Sequence, residues 1–161
     1  MKGILRSALA FAVLGVTAAQ TPLTVTVEAA SSGGLRPYIL GHTNRPDGTP
    51  LIVSLQPPRE PNAAQRLAAG IPACSPNCLG AEGQTTVDGG EFEVGPFGPP
   101  ETGLNPGTYL LEITSPTADS QPSSVRKIIG DHGQWLMGPY VIELMPEAGR
   151  TVDHMSRITV P

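Results

Sequence analysis

The sequence predicts an all-β protein, folded as a single antiparallel β-sandwich of about eight strands with one long stapled connection. Two observations predict it. Apolar and polar residues alternate in many short runs, the period of a strand with one buried face. The 161 residues include 19 glycines and 18 prolines, which punctuate those runs and argue against a helical domain. Both signals are strongest in residues 85–113. There Phe92 and Val94 alternate with Glu91 and Glu93, and Tyr109, Leu111 and Ile113 form a second apolar row. Asp88-Gly89-Gly90 and Asn105-Pro106-Gly107 supply turn chemistry before each row.

The chain opens with a different pattern. Lys2 and Arg6 precede a short apolar run, and small residues follow at positions 16–19. This is the layout of a secretory signal peptide over residues 1–19, with cleavage after Ala19 or after Ala18. The run is shorter than the ~20 residues a spanning helix needs. Residues 20–161 are then one periplasmic or secreted domain, with no membrane insertion after cleavage. The formal charge of the whole chain is −4, and removing Lys2 and Arg6 makes it more negative. With Lys127 as the remaining lysine and no basic cluster, nucleic-acid binding has no electrostatic footprint.

Taken in order, Leu23, Val25 and Val27 alternate with Thr24, Thr26 and Glu28 and predict the first strand. Residues 37–43 predict the second, and Asn44-Arg45-Pro46-Asp47-Gly48 the turn that ends it. Leu51, Val53 and Leu55 predict the third. Residues 59–84 read as a long insert loop with a short helix over 62–70, rich in alanine and capped by Asn62. After the central rows, residues 115–124 are a polar crossing. Val125-Arg126-Lys127-Ile128-Ile129 predicts a further strand, and residues 140–145 and 151–160 complete the set.

Cys74 and Cys78 are the two cysteines, with three residues between them. In an exported chain such a pair reads as a disulfide that shapes the long connection. A redox pair or a metal site is the competing reading. His42, His132 and His154 are scattered. His154, Met155 and Met145 are soft ligands of the kind that hold copper, but adjacent strand residues face opposite sides, so His154 and Met155 do not share an ion. Glu91 and Glu93 share one strand face. They read either as paired carboxylates for acid–base work or as a solvated outer face, and the second needs fewer assumptions. No nucleophile elbow is present. No catalytic residue, metal or cofactor is assigned.

The best binding candidate is the loop Gly133-Gln134-Trp135-Leu136-Met137-Gly138-Pro139, with Tyr140 after it. Three large apolar residues in succession either plug the core or present a contact patch. Trp135, Leu136, Met137 and Tyr140 are therefore the candidate binding residues.

Asp47, Gly48 and Pro50, then Asp88 and Phe92, then Leu104, Pro106, Gly107 and Tyr109 form an ordered pattern. It resembles the carboxypeptidase-regulatory-like and prealbumin-like β-sandwich modules over about half of residues 20–161. The resemblance implies an immunoglobulin-like or prealbumin-like sandwich and implies no activity. The stretch from Gln121 to Pro139 also resembles a group of small secreted bacterial proteins. Hydroxyisourate hydrolases share the prealbumin fold. Their histidine-bearing first strand and Tyr-Arg-Gly-Ser tail are replaced here by Thr24-Val25-Thr26-Val27 and Arg157-Ile158-Thr159-Val160-Pro161, so their activity is not expected.

The sequence thus predicts an exported, non-enzymatic β-sandwich that binds or scaffolds a protein or glycan at the cell envelope. The alternatives are a carbohydrate- or peptide-binding module using the Trp135 loop, and a divergent hydrolase or copper-handling protein.

Overall fold

The computed structural model describes residues 20–57, 80–145 and 148–161. Among them the fold is all-β, with ten strands and antiparallel sheets. A five-stranded sheet has the order β5-β4-β7-β10-β9 and a three-stranded sheet the order β2-β3-β6. The larger is built from β4 (Pro50–Gln56), β5 (Ala81–Thr86), β7 (Gly107–Thr114), β9 (Val141–Met145) and β10 (Gly149–Val160). The smaller is built from β2 (Val27–Ser31), β3 (Ile39–Thr43) and β6 (Glu91–Val94). A two-residue parallel pair joins β1 (Leu23–Thr24) to β8 (Leu136–Met137). The count differs from the eight expected because the first predicted strand is two, β5 and β8 are additional, and residues 125–129 form no strand.

The inward residues of both sheets meet in one apolar core. Val53, Ile113 and Leu111 on the larger sheet and Ile39, Phe92 and Val27 on the smaller belong to the same cluster. The apolar rows expected on three strands are buried: Leu51, Val53 and Leu55 on β4, Phe92 and Val94 on β6, Tyr109, Leu111 and Ile113 on β7. Burying such side chains is the main favourable term in folding.

Three elements differ from expectation. The first predicted strand is two. At Thr26 the chain leaves β8 and joins β3, and the Asn44 side chain spans the break. Its amide oxygen accepts from the Thr26 N–H at 2.9 Å and its amide nitrogen donates to the Thr24 carbonyl at 2.7 Å. The polar residues 81–84, read as part of the long insert, belong instead to β5, an edge strand beside β4. Its Ala-Glu-Gly-Gln composition hides it, and Gly83 is there for space: a Cβ would lie 2.6 Å from Val94 Cγ2. Residues 59–79, with the predicted helix and the predicted Cys74–Cys78 disulfide, lie outside the described residues.

The third difference is a change of type. Residues 125–129 form no strand; they lie in helix α1 (Ser123–Ile129). Val125 and Ile129, four apart, are both buried, whereas Ile128 is exposed, which is helical spacing. The β-branched composition favours a strand locally, and packing of the i, i+4 pair overrides it. Pro122 precedes the first turn and the chain leaves the helix at Gly130.

Residues 85–113 do not form one hairpin. β6 and β7 lie in different sheets, and the connector between them contributes Phe97 and Leu104 to the core. The two turns that carried the family resemblance pack together: the Gly48 N–H donates to the Val87 carbonyl at 2.8 Å, and the Gly90 N–H to Asp47 Oδ1 at 3.3 Å.

Candidate functional site

The loop after α1 is fixed by its backbone. The Trp135 N–H donates to the Ile129 carbonyl at 3.1 Å, and the Trp135 carbonyl accepts from the Leu23 N–H at 2.7 Å. Arg150 holds the loop from the other side. Its backbone N–H donates to the His132 carbonyl at 2.9 Å, and its Nη1 donates to the Leu136 carbonyl at 3.2 Å and the Gln134 carbonyl at 3.4 Å. Arg150 approaches closely because position 133 is glycine, with φ of 65°; a Cβ there would meet the Arg150 carbonyl at 2.6 Å.

This anchoring separates the four candidate residues. Leu136 is 0% exposed and plugs the core, while Met137, the next residue on the strand, is 49% exposed. Tyr140 is half-buried and meets His154 edge-on, with ring centroids 4.7 Å apart. Trp135 is half-buried as well, and it alone of the four lines a cleft of about 360 Å³ against α1. The other walls are Gln20, Ser123, Arg126, Lys127, Gly130, Asp131 and Gln134. So the loop does both things that its three apolar residues offered: Leu136 fills the interior and Trp135 faces a cleft.

The electrostatics of the cleft are mixed. Arg126 and Lys127 project from the helix, and Asp131 lies 4.0 Å from Arg126 at its Nη1. Arg126 Nε is shielded from solvent and has no hydrogen-bond partner among the described residues. A donor without an acceptor beside an indole, two amide side chains and a carboxylate is an arrangement suited to a ligand with hydroxyl or carboxylate oxygens and one apolar face. Sequence reading missed these partners because it took their helix for a strand. The four-residue spacing of Val125 and Ile129 was the signal that would have put Arg126 and Lys127 on an outer face.

The other candidates do not converge. Glu91 and Glu93 are exposed on β6, and His42 Nδ1 lies 3.7 Å from Glu91 Oε1 with both side chains 71% exposed. They rim a concavity of about 530 Å³ on the sheet face, together with Leu40, Thr85 and Asp88. Phe92 is its one aromatic lining residue and is itself buried, 5% exposed, so the concavity presents little ring surface. His154 is buried and Met155 is 56% exposed, so they face opposite sides. The Met145 side chain lies outside the described residues. Among the described residues no three His, Cys, Asp or Glu side chains group as metal ligands, and no helix is long and apolar enough to cross a membrane.

No protein-family model matches this chain, nor does any curated protein. The functional reading therefore rests on the geometry of the cleft.

Proposed function

We propose that this chain is an exported, non-enzymatic β-sandwich module of the immunoglobulin-like or prealbumin-like kind that binds a glycan at the cell envelope through the Trp135 cleft. One observation carries the reading. The sole tryptophan of the chain forms a wall of a cleft whose remaining walls are amide, hydroxyl and charged side chains. A sugar ring has an apolar face for the indole and oxygens for Gln134, Arg126 and Asp131. Two cations against one carboxylate favour sugars bearing acidic groups. The leader layout of residues 1–19 supports export, and the scattered histidines support a binding role over catalysis.

The test is a glycan array probed with the wild-type domain and with Trp135→Ala. Acidic glycans should be retained by the wild type. Truncating a tryptophan at the centre of a contact costs about 2 kcal/mol or more, so the variant should bind roughly thirtyfold more weakly. Equal binding by the two proteins, or an array with no bound glycan, would remove the cleft from contention. The Trp135 backbone bonds survive the substitution, so an unchanged circular dichroism spectrum is the control for folding.

A further inference from the structure

Gln20 joins the cleft from a distance. Its side-chain Nε2 donates to the Lys127 carbonyl at 2.9 Å, across 107 positions of sequence. Lys127 lies in the last turn of α1, where carbonyls run out of intrahelical donors, so the glutamine amide supplies one that the helix lacks. The same residue is the first after the predicted leader. An unanchored terminal residue is ordinarily poorly ordered. Here it is tied down, at the rim of the cleft that holds Trp135.

We propose that leader cleavage falls between Ala19 and Gln20, and that Gln20 stays in the mature protein as an open, uncyclised N-terminal glutamine forming a fixed wall of the Trp135 cleft. This rests on the exported reading above. An N-terminal glutamine is prone to lose ammonia: the α-amine attacks Cδ, a C–N bond forms, the Cδ–Nε2 bond breaks, and Nε2 leaves with the proton it takes up. In this fold Nε2 is the atom engaged by Lys127, so cyclisation must first give up that hydrogen bond. The open terminus also matters to the ligand. Cleavage adds an α-ammonium to a cleft that already holds Arg126 and Lys127 against Asp131, and cyclisation would erase that charge. Processing therefore completes the site and tilts it further toward acidic ligands.

The experiment uses the full chain, leader included, expressed in an exporting host. Intact mass of the exported protein should correspond to a first residue of Gln20 with no ammonia lost. Incubated side by side, the denaturant-unfolded protein should cyclise about five- to tenfold faster than the folded protein, the protection that one net hydrogen bond of about 1 to 1.4 kcal/mol gives. Because Trp135 is the sole tryptophan, its emission reports the cleft wall, and Gln20→Ala should shift that emission to the red. A retained leader, a different first residue, equal rates of ammonia loss in the two states, or unchanged emission in Gln20→Ala each overturns the proposal. A retained leader would also overturn the exported reading; the other outcomes leave the glycan reading untouched, which stands or falls on Trp135→Ala.

Discussion

At the scale of single residues, Arg45 is the conspicuous anomaly. It is 3% exposed, and among the described residues none of Nε, Nη1 and Nη2 has a hydrogen-bond partner. Burial pushes its pKa down from the usual arginine range to about 10. A guanidinium so placed remains protonated at pH 7 and is a buried charge. Because the folded pKa lies below the unfolded one, the penalty is fully present below about pH 10. At 1.36 kcal/mol per pKa unit it is on the order of 3 kcal/mol. Replacing a buried charge with an apolar side chain of similar volume is often stabilising. Arg45→Met should therefore raise stability by about 1–3 kcal/mol, read as a higher urea midpoint at unchanged slope. A lower midpoint would mean that the guanidinium has a favourable role in the fold. Nothing in the sequence announced this, because Arg45 stands in a polar turn motif where an arginine is expected to face water.

At the scale of elements, the alternating strands were legible and the site was not. β4, β6 and β7 follow their apolar period because one face of each meets the core. β5 and α1 escaped, for opposite reasons. β5 is a polar edge strand whose close contact with the other sheet is made by a glycine, so it has no period to show. α1 has a strand-like composition and is helical because Val125 and Ile129 reach the core from successive turns. Since α1 carries three of the eight cleft residues, losing it cost the sequence reading Ser123, Arg126 and Lys127 as partners of Trp135. The element that positions Trp135 is the loop clamped by Arg150, which also lies 3.7 Å from Glu143 at its Nε. Arg150→Ala should leave the core intact but free the Gln134 and Leu136 carbonyls. The expected outcome is faster amide hydrogen exchange across residues 133–138 and several-fold weaker binding to any ligand that Trp135 holds. Exchange identical to wild type would show that the glycine-rich backbone holds the loop alone.

At the scale of the whole molecule, the larger sheet and its long strand β10 set the response to acid. His154 sits on β10 with its Nδ1 buried and without a partner, its ring against Tyr140. Burial pushes its pKa below the ordinary 6.5, and the neighbouring Asp153 only partly offsets this. The folded protein therefore keeps His154 neutral while the unfolded chain takes up a proton below about pH 6.5. Stability should fall as pH drops from 7 toward 5, before the carboxylates titrate. His154→Leu should flatten that limb of the denaturation midpoint against pH; an unchanged slope would assign it to other groups. The architecture behind this was readable from the sequence as two sets of alternating rows. The pairing of rows into sheets was not, since alternation reports which face is buried and says nothing about the neighbour.

β10 pairs with β7 on one side and β9 on the other, and among the described residues it is the only strand that β9 pairs with. It is also the last strand in chain order. A ribosome delivers the strands from the amino end, so the larger sheet has a gap in its order until residues 149–160 arrive. Chain emergence and sheet closure are thus uncoupled, and the long-range pairing that closes the sheet is of the kind that forms slowly. A chain built this way keeps β9 apart from β7 until residues 149–160 have been made, because β10 is what lies between them.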